Sequence, residues 1–173
     1  ALITFQTGYL KTYYPVEFMA ALLSTEASST ENIVKYIAEA KSMGIEVLPP
    51  SVNDSDKSFT VVQGKIRFGL SAIKGLGGAA LEAVLQTRTE KCNFSSIYDF
   101  CERIPTKQLN KKTLEVLVRS GAFDEFGRPR SQILDALDRA IDAAKSVQKA
   151  EAAGQSSLFG TPELAAAVKP REV

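Results

Sequence analysis

The chain has 173 residues, 45% hydrophobic and 24% charged, with a net charge of +1. That is enough to bury one compact core or two small ones and too apolar for a disordered chain. No apolar run approaches the roughly 20 residues that cross a bilayer, so a cytoplasmic protein without a membrane partner is expected. With 0 histidines and 2 cysteines, the usual Cys/His zinc site, a Ser-His-Asp triad and an imidazole base are excluded; Cys92 and Cys101 are expected to be reduced thiols.

Two helical pieces open the chain, separated at Pro15, which suits the first turn of a helix over Val16 to Leu23. Tyr9, Tyr13 and Tyr14 cluster before it. The start at Ala1, inside an apolar run and without methionine, is what a piece of a longer protein would show. Thr30 reads as the N-cap of the next helix, in which Ile33, Val34, Ile37 and Met43 recur near helical spacing, and Gly44 as its C′ residue. Val47-Leu48 before Pro49-Pro50 is a short extended stretch, and Asn53 to Asp56 a turn-rich loop. Asp54 and Asp56 there read as turn formers rather than cation ligands. Phe59 to Val62 and Lys65 to Phe68, joined through Gln63-Gly64, form a small hairpin.

Helices then resume: Leu70 to Ile73, Gly78 to Gln86, Ser95 to Arg103, Asn110 to Ser120 and Ser131 to about Ala150. The last carries Ile133, Leu137, Ile141 and Ala144 on one face, with Asp135, Asp138 and Asp142 on the polar side. The fold class is therefore mainly α, with one small β element near the centre. From Glu151 the composition turns to Ala, Gly, Ser and Pro, which reads as a flexible tail.

Charge is unevenly spread. Residues 1–60 carry 4 basic and 7 acidic side chains, residues 61–130 carry 12 and 7, and residues 131–173 carry 5 and 6. A basic middle is either a phosphate-contacting face or an ordinary solvated surface. The sharpest local signal lies within it, at Ile73-Lys74-Gly75-Leu76-Gly77-Gly78-Ala79-Ala80, with helical patterns on both sides. This is the pattern of a helix-hairpin-helix element. Glycines 75 and 77 would let the backbone approach a phosphate, the second helix would offer its unpaired N–H groups, and Leu76 would plug the two helices together. The alternative is a glycine-rich turn between two core helices. Lys74, with Lys65 and Arg67 on the preceding hairpin, leans toward phosphate binding. Such a contact would bind DNA without reading bases.

A second glycine-flanked turn, Ser120 to Gly127, could be a degenerate partner of the first. Lys107, Lys111, Lys112, Arg119, Arg128 and Arg130 are expected around it, but Asp124 and Glu125 argue for a structural role. In the tail, Leu158 and Phe159 stand alone in the polar stretch Gly154 to Gly160. They read either as an anchor for a partner's pocket, with the Gln155 amide on its rim, or as a pair folding back on the domain.

The blocks Phe5 to Lys11, Tyr14 to Leu23, Met43 to Ile45, Val47 to Asn53, Ile66 to Leu70, Ala72 to Gly75 and Asp99 to Asp124 resemble, in order, the alpha subunits of bacterial DNA polymerase III, the replicative family C polymerases. The resemblance covers nearly the whole chain. It implies distal fingers helices over residues 1–50, a tandem helix-hairpin-helix DNA-binding domain over 51–150, and a tail with a clamp-binding motif over 151–173. It implies backbone contact with the primer-template duplex through Lys74, Gly75, Leu76, Gly77 and Gly78, joined by Lys65, Arg67, Lys111 and Lys112. Gln155, Leu158 and Phe159 would bind the sliding clamp, the beta subunit, and other holoenzyme subunits would be met through the longer protein. The polymerising carboxylates and their Mg2+ would lie upstream, leaving this piece without nucleotidyltransferase activity or a cofactor of its own. One rival is a helix-hairpin-helix DNA glycosylase, disfavoured because Ala79 stands where a lysine is expected. Another is a protein-interaction module that works through its tail and never touches DNA.

Overall fold

The computed structural model describes residues 2–105 and 107–152. The chain is mainly helical, as expected, with one three-stranded sheet at its middle. Helix α1, Leu2–Tyr13, and α2, Pro15–Thr25, meet at Tyr14, where Pro15 takes the first helical position and loses no bond by lacking an N–H. Helix α3 runs Thr30–Ser42. Its N-cap is Ser29 rather than Thr30: the Ser29 Oγ accepts from the Asn32 N–H at 3.4 Å, and Thr30 is already helical. Gly44, at φ +76°, ends it in the left-handed conformation.

Strands β1 (Val47–Leu48), β2 (Thr60–Val62) and β3 (Lys65–Arg67) make a sheet in the order β1-β3-β2. β2 and β3 pair antiparallel, Val61 opposite Ile66, across Gln63 and Gly64, both at positive φ (51° and 75°) as a two-residue hairpin turn demands. β1 joins β3 in parallel, Val47 opposite Ile66. This pairing has no local signature, since its partners are 19 residues apart.

The segment Leu70 to Ile73 is not the α-helix its pattern suggests but a single 3₁₀ turn, Leu70–Ala72, with Ile73 extended. The segment stops after one turn because Ile73 is extended, and the turn is docked by its first two amides, Leu70 and Ser71 giving their N–H groups to the carbonyls of Asp56 and Lys57 at 2.9 and 3.0 Å. Gly69 is pressed so closely on that loop that a Cβ there would fall 2.5 Å from the Ser58 carbonyl carbon. Beyond lie α4 (Gly78–Lys91), α5 (Ile97–Arg103), α6 (Lys111–Ser120), a 3₁₀ turn (Asp124–Phe126) and α7 (Arg130–Ala152). Ser96 and Asn110 cap α5 and α6 through their side chains.

Two cores result. Met19, Leu23, Ile33, Ala40, Ile45, Phe59 and Ile66 form the first, so the hairpin seals helices α2 and α3. The second gathers Val52, Leu70 and Ile73 with α4 to α7, and its centre is a chain of rings, Phe94, Phe100 and Phe123, with centroids 4.8 and 5.0 Å apart. Helix α7 buries Ile133, Leu137, Ala140 and Ala144, with Ile141 at the margin. Phe68 packs on both cores. Helix α1 buries none of its residues and leaves Leu2, Ile3, Phe5 and Tyr13 exposed. Among the described residues no helix is long and apolar enough to cross a membrane.

Candidate nucleic-acid interface

The hairpin at Lys74 to Gly78 stands at the entrance to α4. Extended Ile73 leads into Lys74, Gly75 turns the chain at φ +95°, the Leu76 N–H closes on the Ile73 carbonyl at 3.1 Å, and α4 begins at Gly78. Leu76 is half-buried against the second core, as a plug should be. The two glycines flanking it differ in cause. Gly75 sits where side chains are strained, whereas Gly77, at φ −70° and ψ 148°, has a conformation open to any residue. A Cβ at Gly77 or Gly78 would meet nothing within 4 Å. The fold therefore needs glycine at 75 and does not need it at 77 or 78.

The start of α4 is also electrostatically bare. Helices α3, α5 and α6 have a side-chain cap, but α4 has none and carries no acid in its first turn. Its first amides therefore have no side-chain cap, and the positive end of the helix dipole has no acid in that turn to offset it. Lys74 beside them is exposed and forms no ion pair with a described residue. An anion fits such a place, and the absence of Cβ atoms at 77 and 78 lets a bulky one come close.

The other candidate cations are placed less uniformly. Lys65 pairs with Glu46 at 2.7 Å, both at least 45% exposed, a weak surface pair. Arg67 does not face outward: its side chain is 17% exposed, and the guanidinium donates to the Pro49 carbonyl and to Asp54 Oδ2, each at 3.2 Å. Those two bonds tie the guanidinium to its own loop, where the sequence suggested a phosphate contact. Lys111 is held by Asp138 of α7, which keeps its ammonium above the ordinary lysine range. Lys112 is exposed and forms no ion pair with a described residue. Gln155, Leu158 and Phe159, with the rest of the expected tail motif, lie outside the described residues.

Nor do Lys107, Lys111 and Lys112 surround the second glycine turn. They precede or open α6, and the turn follows it, about 14 Å away along a ten-residue helix. That turn is structural. Gly121, at φ +89°, ends α6, and Arg130 closes over it, its Nε donating to Asp124 Oδ1 at 2.8 Å and its Nη1 to the Arg119 carbonyl at 3.1 Å. The guanidinium holds the Asp124 carboxyl below the usual range, so the turn carries its own counter-ion.

Two arginines that no local pattern singles out serve the interior. Arg88 Nη1 donates to the carbonyls of Asn53 and Ser55, both at 2.8 Å, and Nη2 to Asp56. Arg103 lies 4.5 Å over the Phe94 ring and donates to the Asn93 and Cys92 carbonyls. Asp54 and Asp56 thus pair with arginines, and the basic excess of the middle third is in part internal.

Residues 44–133, just over half of the chain, match the model of the helix-hairpin-helix motif family. The DNA polymerase III subunit alpha of Campylobacter jejuni is 44% identical over 98% of this chain and 14% of its own length. Those of Vibrio cholerae and Deinococcus radiodurans are each 42% identical, over 92% and 94% of this chain and 14% and 12% of theirs. The chain thus spans about one seventh of these relatives. With the hairpin's geometry and this coverage, the chain belongs to the helix-hairpin-helix family, in the form found within bacterial DNA polymerase III alpha subunits.

Proposed function

We propose that this chain grips the backbone of duplex DNA without reading its bases, with α4's amides and Lys74 on a phosphate. The observation that carries this reading is the uncapped, glycine-lined start of α4, where open space lies in front of glycines the fold does not require. Phosphates look alike in every sequence, so affinity is independent of base order and falls steeply with salt. The test is titration of a labelled duplex with the whole chain and with Gly77→Val. A Cβ at 77 meets no described atom within 4 Å and valine costs only the difference between a good and a poor N-cap, so the melting temperature stays within a few degrees of the wild-type value, while duplex affinity drops at least tenfold. Wild-type affinity in Gly77→Val would refute the assignment.

The relatives are named as subunits of a DNA polymerase, and we propose that this chain serves DNA replication by holding the duplex for such an enzyme. In this reading residues 1–50 are fingers helices, 51–150 the DNA-binding domain and 151–173 the tail. The nucleotidyl transfer, its Mg2+ and the contacts with other holoenzyme subunits belong to the longer polypeptide. Gln155, Leu158 and Phe159 dock the tail on the sliding clamp. Leu158→Ala with Phe159→Ala abolishes clamp pull-down by removing the apolar anchor; undiminished retention counts against the motif. An interaction module without DNA contact is the competing reading, favoured by the exposed apolar face of α1. It would be selected if the wild-type chain failed to bind duplex at low salt.

A further inference from the structure

The two glycine turns read as separate candidates along the sequence, but the fold brings one flank of each to a single cleft of about 490 Å³. Phe68, Ile73 and Val116 line it with apolar surface; Lys74 stands in one wall and Arg119 in another. No carboxylate of a described residue lines it. The walls meet at Gly75, where a Cβ would sit 3.5 Å from Val116 Cγ2. On α6, Lys112, Val116 and Arg119 are spaced four and three residues apart and so share one face of the helix. Lys112 and Arg119 are both exposed, and neither has an ion pair among the described residues. The neighbouring cations are consumed: Lys111 by Asp138, Arg130 by Asp124, Arg67 by Asp54. Arg130 also donates to the Arg119 carbonyl, which fixes the end of α6 that presents Arg119.

We infer that helix α6 forms the second wall of the DNA-binding site, and that Arg119, with Lys112, contacts phosphates flanking the one held at α4. The inference rests on the duplex-binding reading and extends it to a residue outside the glycine hairpin. The chemistry of the cleft fits one strand of a duplex: cations for the phosphates, and the apolar floor of Ile73 and Val116 for the deoxyribose between them. Lys112 and Arg119 are seven residues, about 10 Å, apart along α6, so they engage different phosphates. An acidic peptide is the other occupant this charge pattern could take.

The experiment measures duplex affinity of the full chain across a salt series. Each phosphate contact contributes about 0.9 to the slope of log K against log salt. Arg119→Ala is expected to weaken binding at every sequence tested and to flatten the slope by about 0.9; Arg119→Ala with Lys112→Ala flattens it by about twice that. Lys41→Ala, which removes the same charge at the far end of α3, leaves the slope unchanged. A wild-type slope in Arg119→Ala, while Gly77→Val has lost binding, would overturn this inference and leave the duplex-binding reading standing. Equal flattening by Lys41→Ala would overturn it too, because net charge alone would then be at work. No duplex binding by the wild-type chain overturns both. Polyglutamate that binds the wild-type chain as tightly as duplex, and Arg119→Ala far less, would reassign the cleft to an acidic peptide.

Discussion

An arginine in this chain can face a phosphate or collect carbonyls, and burial decides which. Arg67, Arg88 and Arg103 have side chains 17%, 16% and 14% exposed, and each ends on main-chain oxygens of a loop. The guanidinium holds five donors in a rigid planar fork, where an ammonium offers three from a single point. At Arg88 the acceptors belong to the 52–55 loop, in which Ser51 Oγ receives the Asn53 and Asp54 N–H groups and Asn53 Nδ2 donates to the Phe94 carbonyl. Removing that guanidinium leaves these carbonyls without their donor, at about 2–3 kcal/mol for hydrogen bonds from a charged group. Arg88→Ala should therefore lower the urea midpoint with an unchanged m-value, and Arg88→Lys should recover little of the loss. Duplex affinity measured on the folded variant should equal the wild-type value. A variant that keeps its midpoint but loses DNA would place Arg88 on the binding face instead.

At the scale of elements, what was legible in the sequence was what a few adjacent residues determine. Gln63-Gly64 announces a two-residue hairpin turn because both positions must take positive φ. Gly44 announces the end of α3 for the same reason, and the apolar spacing of α7 places its buried face within one residue. The hairpin of the candidate site was legible too, since glycine, lysine and a helix start lie within six residues. Long-range partners were not. The α-helical pattern of Leu70 to Ile73 yields to a single 3₁₀ turn docked by its first two amides on the carbonyls of Asp56 and Lys57, and nothing within the segment announces that docking. The meeting of Gly75 with Val116, 41 positions later, is equally silent, so the residues alone set Arg119 beside the second turn, and only the resemblance joined Lys111 and Lys112 to the first. Cys92 belongs to this group: it ends α4 at φ 65° and ψ −175°, a backbone conformation otherwise left to glycine, while Arg103 Nη2 donates to its carbonyl at 2.6 Å.

At the scale of the whole molecule, Phe68 is the described side chain that packs on both cores. Its ring lies 4.8 Å from Phe59 of the first core, and its backbone N–H reaches across the sheet to the Leu48 carbonyl at 3.1 Å. Cooperative unfolding of two units requires that the interface between them be worth more than the difference in their separate stabilities. Truncating this ring therefore acts on coupling as well as on stability. The chain contains its own reporters. Cys101 lies in the second core, where burial above all, with Glu102 beside it, pushes its thiol up to about 12, so it is unreactive until that core opens. Four of the five tyrosines, Tyr9, Tyr13, Tyr14 and Tyr36, lie in the first 42 residues, so tyrosine fluorescence reports the first unit. In the wild-type chain, alkylation of Cys101 and the fluorescence change should share one urea midpoint, with Cys92 already modified in the native state because it is exposed. Phe68→Ala, costing about 2–3 kcal/mol for a large ring that is only half-buried, should separate the two transitions. If both probes shift together and stay coincident, the cores are coupled elsewhere, and the loop held by Arg67 and Arg88 becomes the joint between them.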